Sequence, residues 1–245
     1  RFFSVVRGLP EGHLDVLGAA ASAHHSAVLL FDKEPRVAYT LLVAGIETLS
    51  RKYGAPPTDW QSWAESSDWD REFNELGLAP EKATRMRERL MRDRQLRLGA
   101  TFQEYGSSRP ENDFWSREVD EWMPALEVDD NVSRWLPPTK SSRRRVSHFV
   151  PTDRVALKKA LAKSYNLRSA VVHESTWLEL MAIAGPISGP PGGDRALSFP
   201  GLRLLLAELI NLELSAHSSA QDLADVALQR SPSVCGGGGE ESSSG

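Results

Sequence analysis

A chain of 245 residues, 40% hydrophobic and 25% charged, has the composition of a globular protein and can bury one substantial core without staples. Its net charge of -4 excludes a generic polyanion binder, so any nucleic-acid contact must come from a local basic patch. The one cysteine, Cys235, stands in a glycine-rich tail, which excludes an internal disulfide, gives no sign of zinc and fits a reducing cytoplasm.

The chain opens with RFFSVVRG, lacking an initiator methionine and the layout of a signal peptide. FFSVV reads as a short strand or as the exit from a preceding domain, so residues 1–13 are taken as a lead-in, and an upstream sensor or effector domain regulated by this segment is a third alternative for function. A helical pattern runs from Leu14 to Leu30 and carries Leu17, Ala20, Ala21, Val28 and the adjacent pair His24 and His25. Adjacent histidines point to different helix faces and cannot chelate together, so a half-buried or surface role is expected.

DKEP breaks this helix, because proline disfavours helix at the residue before it. VAYTLLVAGIETLSRKYG follows, apolar nearly all round and ending in basic residues before Gly54. That pattern predicts a central buried helix. Residues 55–80, with Trp60, Trp63 and Trp69, read as short helices and turns packed on the core. One helix is expected over 81–98, with Ala83, Met86 and Leu90 on an arginine-rich background. Another is expected around 112–126, with Trp115, Val119, Trp122, Met123 and Leu126 on one stripe.

Residues 127–151 read as a loop containing Arg143, Arg144 and Arg145, which together with the 81–98 helix are the candidate RNA-phosphate contacts. Thr152 or Asp153 is the expected N-cap of the next helix. GPISGPPGGD lacks the lysine-serine/threonine ending of a phosphate loop and reads as a plain loop. A leucine-rich helix from Leu202 to about Leu214 and an amphipathic segment near 220–229 complete a helical domain over 14–230. The tail 231–245 cannot build a core and reads as disordered. No apolar run approaches the ~20 residues of a membrane helix. The fold class expected is all-α.

The stretch with the most chemistry is SYNLRSAVVHES, residues 164–175. Leu157, Leu161, Tyr165 and Arg168 follow one helical stripe, so Arg168 lies on a packing face and needs an acidic partner or a cleft. His173, five residues on, stands about 140° round the helix at ~100° per residue. The two converge only if the helix ends or distorts between them, or if another subunit contributes.

YNLRSAVVHES resembles the signature of the HEPN superfamily, particularly its Apea-like branch, in which an all-α helical bundle carries arginine, four to six residues, then histidine. VAYTLLVAGIETLSRKYG and the helix at 202–214 fall where the family's core helices would, while 55–150 matches only in helical character. The resemblance implies a metal-independent endoribonuclease without cofactors, cutting RNA in antiviral defence or toxin systems as a homodimer. The two copies of the motif then face each other across a shared cleft. It makes Arg168 and His173 catalytic, Glu47 a partner that orients Arg168, and Tyr165 and Ser169 supporting residues. Ser169 follows the arginine where catalytic members usually carry asparagine or aspartate. The alternative is a non-catalytic HEPN-like interaction or dimerisation module that binds a partner protein or nucleotide.

Overall fold

The computed structural model describes residues 9–63, 65–93, 95–119, 125–129, 132–136, 144–173 and 195–230, with backbone alone at 95, 125–129, 132–136, 169–173 and 218–230. The readings of FFSVV, of GPISGPPGGD and of the tail fall outside the described residues.

Helix α1 (Glu11–Leu30) starts at Glu11 rather than Leu14, because the Pro10 carbonyl already accepts from the amides of His13 and Leu14. Helix α2 (Pro35–Tyr53) begins on a proline, whose missing N–H costs nothing in a first turn. It touches α1 and three later helices, and Leu42, Val43, Ile46 and Leu49 on it are fully buried. This is the central helix its all-round apolarity predicts. Gly54 closes it in an extended conformation, φ -80°, so the glycine is there for space and not for a left-handed turn. A Cβ at this position would sit 2.4 Å from the Ser50 carbonyl oxygen and 2.8 Å from Thr101 Cγ2.

The tryptophan segment departs from expectation. Trp63, Phe73, Ala83, Leu90 and Ala100 form a small core of their own, with Trp60 and Trp69 packed against it. It is built from α3 (Ser66–Glu75), α4 (Pro80–Arg92) and the start of α5 (Leu98–Ser108). Asp70 ties its surface, accepting from Trp60 Nε1 at 3.0 Å and from Arg87 Nε at 2.8 Å. Those two donors, Trp60 first, hold the Asp70 carboxyl below its ordinary value.

The single helix expected over 81–98 is divided. α4 stops at Arg92, Asp93 is extended, and a 3-10 turn at Gln95–Arg97 precedes α5. Arg97 is drawn inward to donate to the Pro57 carbonyl, and this tertiary contact overrides local helix preference.

The helix expected over 112–126 is also overturned. α6 (Asn112–Ser116) ends after five residues, and the chain becomes strand β1 (Glu118–Val119). The segment is pinned on both sides of that break. Trp115 Nε1 donates to the Pro151 carbonyl at 2.8 Å, and Arg117 donates to Glu208 at 2.7 and 3.2 Å. Strands β2 (Ala125–Asp129) and β3 (Val132–Leu136) form an antiparallel pair, and β1 pairs antiparallel with β4 (Arg144–Arg145). The 127–151 loop is therefore corrected in part: it contains strand residues, and Arg144 and Arg145 are exposed on a ladder. Arg143, Trp122 and Met123 lie outside the described residues.

Helix α7 (Arg154–His173) is capped by Asp153, whose Oδ2 accepts the Ala156 amide at 2.8 Å. Leu157 and Leu161 point into the core, each contributing roughly 1.5–3 kcal/mol of burial. Ser164 links α7 to the next segment, accepting the Leu197 amide at 2.9 Å, while Tyr39 donates to the Leu197 carbonyl at 3.0 Å.

Helix α8 (Phe199–Arg230) is one long element where the pattern suggested two. The intervening SAHSS holds neither glycine nor proline, so nothing interrupts the helix. Its Glu208 and Glu213 are nearly fully buried and answered by Arg117 and Arg109. The fold of the described residues is all-α, with two short antiparallel ladders added. Among the described residues no helix is long and apolar enough to cross a membrane.

Candidate functional site

Glu47 faces the α1–α2 groove near the C-terminal end of α2, yet its side chain is only 7% exposed. A carboxylate so placed must be fully answered, and it is answered twice. Oε1 accepts from Arg51 Nη2 at 2.6 Å and Nε at 3.1 Å, while Oε2 accepts from Arg168 Nη1 at 2.5 Å. Arg51 follows from helix geometry, four residues after Glu47 on the same face. Arg168 comes from α7 and is brought there by tertiary packing alone. Its guanidinium carbon also lies 5.9 Å from the Tyr165 ring centroid, a cation–π distance. Tyr165 in turn packs on Phe102 with centroids 5.2 Å apart. Burial first, and then the Glu47 charge, push the Tyr165 hydroxyl above its ordinary value, so it stays protonated at neutral pH.

Glu47, Arg51 and Arg168 open onto a cleft of about 490 Å³ walled also by Val16 of α1 and by Ala44, Thr48 and Lys52 of α2. Three cations, Arg51, Lys52 and Arg168, line the cleft beside a single carboxylate, which Arg51 and Arg168 share, leaving the wall with excess positive charge. A guanidinium carries five N–H donors in a planar fork, so one held by Glu47 on one edge has further donors to offer a planar anion. Such an arrangement can grip a phosphate or carboxylate and neutralise charge developing on its oxygens.

The structure thus places Glu47, Tyr165 and Arg168 together. Helix α7 runs unbroken from Arg168 through His173, so no helix end turns the two toward each other. The side chains of His173 and Ser169 lie outside the described residues. Arg144 and Arg145 sit on β4 and do not line the cleft. His24 is half-buried and His25 exposed, as their adjacency requires. Burial and the charge of Arg203 keep the His24 imidazole below its ordinary value. Among the described residues no group of three or more metal-ligating side chains converges.

Sequence reasoning missed Arg51 and Lys52, although the Glu47–Arg51 spacing is a visible signal. It also missed a cluster where α1, α2 and α8 meet: His13, Tyr53 and His217. No local pattern links residues so far apart in the chain.

Fold and site together define an all-α domain with a cationic cleft built on a shared buried carboxylate. No family model, curated protein or solved structure matches the chain.

Proposed function

We propose that this protein is a metal-independent endoribonuclease of HEPN type, acting as a cytoplasmic homodimer in antiviral defence or toxin-like RNA cleavage. The observation that carries the reading is Arg168, held by Glu47 at 2.5 Å in an open cleft with surplus positive charge. In this mechanism Arg168 grips the scissile phosphate. The RNA 2′-oxygen loses its proton and attacks the neighbouring phosphorus; the bond to the 5′-oxygen breaks, and that oxygen takes up a proton. His173 serves these transfers, since an imidazole titrates near neutrality. Because α7 is continuous, a second copy of the chain completes the site. Arg143, Arg144 and Arg145 extend the grip on the strand.

The test is RNA cleavage in EDTA by the parent and by His173→Ala, both checked for fold and mass by light scattering. Cleavage by the parent alone, leaving 2′,3′-cyclic phosphate ends, is the expected result. Equal cleavage by both proteins would refute the assignment of His173.

A second reading, a non-catalytic module that dimerises or binds a partner protein, draws on one observation. Helix α1 exposes Leu14, Val28 and Leu29, the last at 66%, an apolar face of the kind that partners cover. A folded parent that forms dimers and cleaves no RNA favours this reading.

A further inference from the structure

We infer that the cleft continues past Lys52 into a second anion subsite, where Lys52, His13 and His217 take a phosphate group and His13 gains a proton as it binds. The inference is independent of the ribonuclease reading.

The geometry comes from three helices. His13 precedes the cleft-wall residue Val16 by three positions on α1, and Lys52 follows Thr48 by four on α2, so both continue the walls of the same groove. The Lys52 ammonium lies beside α1, 3.7 Å from where a Cβ on Gly12 would be. Tyr53 Oη stands 3.2 Å from His13 Nδ1, which leaves Nε2 as the ring's outward nitrogen. His217 of α8 meets His13 edge-to-face, ring centroids 4.2 Å apart, and lies 5.9 Å from the Tyr53 ring. All three rings are half-buried. Tyr53 packs against the main core, and the two imidazoles beside it offer nitrogens to a ligand.

The charges agree. Facing His13 are Lys52 and Tyr53 from α2, and Glu213 and His217 from α8. Glu213 is already taken from the α5 side, where its Oε1 accepts from Tyr105 Oη at 2.9 Å and from Arg109. Among the described residues Lys52 has no carboxylate partner. Two imidazoles in ring contact resist double protonation. Burial, His217 and Lys52, in that order, keep His13 below its ordinary value. His13 is therefore neutral at physiological pH before an anion binds. A phosphate dianion beside Lys52 reverses the local field, and His13 takes up a proton and, keeping it, donates an N–H hydrogen bond to a phosphate oxygen. A neutral ligand would gain nothing from this arrangement, and a carboxylate offers fewer oxygens to three donors.

The experiment uses the full chain, with histidine ring resonances followed by NMR as pH is varied, in chloride and in inorganic phosphate at matched ionic strength. Phosphate is expected to raise the His13 midpoint by about one unit and to leave exposed His25 unmoved. Binding heats measured in two buffers of different ionisation enthalpy should show proton uptake. Lys52→Ala and His217→Gln change solvent-accessible side chains, and each should weaken phosphate binding about tenfold. An unmoved His13 midpoint, an equal shift at His25, or an undiminished shift in Lys52→Ala overturns the proposal. A single-stranded DNA oligonucleotide, which has no 2′-hydroxyl, then separates two sources of the phosphate. Displacement of inorganic phosphate marks a strand, and coexistence marks a small phosphate. Loss of RNA cleavage elsewhere in the molecule leaves these readouts intact.

Discussion

Glu47 holds two arginines through separate oxygens, so removing either arginine should cost much less than removing both. In Arg168→Ala the carboxylate keeps Arg51, and the loss is one charge-assisted hydrogen bond with a half-buried partner, about 2 kcal/mol. Arg51 is half exposed at 50%, solvent screens its share, and Arg51→Ala should cost about 1 kcal/mol. The double variant leaves a 7%-exposed carboxylate without a cation, and an uncompensated buried charge costs roughly 3–5 kcal/mol. The double variant should therefore exceed the sum of the singles by about 1 kcal/mol. Adding Glu47→Gln to it should recover stability, because the buried charge is then gone. Urea unfolding followed by circular dichroism gives all the differences. Additive singles, with no recovery from Glu47→Gln, would show that Glu47 is solvated in solution and that Arg168 is not positioned by it.

Two further outcomes follow from the same packing. Gly54→Ala drives a methyl group into the Ser50 carbonyl oxygen and Thr101, at 2.4 and 2.8 Å, and should cost about 1–3 kcal/mol; a chemical-denaturation midpoint equal to the parent's would refute the close approach. His13 and His24 are both held below their ordinary value of 6.5, so the unfolded chain binds more protons than the folded one as pH falls through that value. Stability should rise with pH through this window and decline on acidification, read as a falling melting temperature from about pH 7 to about pH 5. His24→Gln should flatten the slope, and a melting temperature that rises on acidification would reverse the sign.

How far the sequence reaches depends on the range of the interaction involved. The central helix is legible because Leu42, Ile46 and Leu49 repeat at helical spacing on a segment with almost no polar face, and such periodicity is local information. The start of α7 is legible for the same reason, since Asp153 caps an amide three residues away. The packing face of Arg168 was visible from the stripe Leu157, Leu161, Tyr165, and its need for an acid followed from the cost of burying a charge.

The breaks were not visible. Arg97 ends a helix pattern by reaching the carbonyl of Pro57, forty residues back, and Arg117 fixes a strand start by reaching Glu208, ninety-one residues on. Helical propensity alone joins 81–98 and 112–126 into single helices, because the contacts that oppose them come from elsewhere in the chain. The site divides along the same line. Residue types and spacing nominate Arg168 and Glu47, and Arg51 is readable as a neighbour of Glu47 on one helix face. Only the tertiary structure lays α7 against α2 so that one carboxylate serves two guanidinium groups, and only it draws His13, Tyr53 and His217 from three helices to one end of that groove. Local periodicity decides which faces must be buried, and long-range packing decides which charged groups meet when they are.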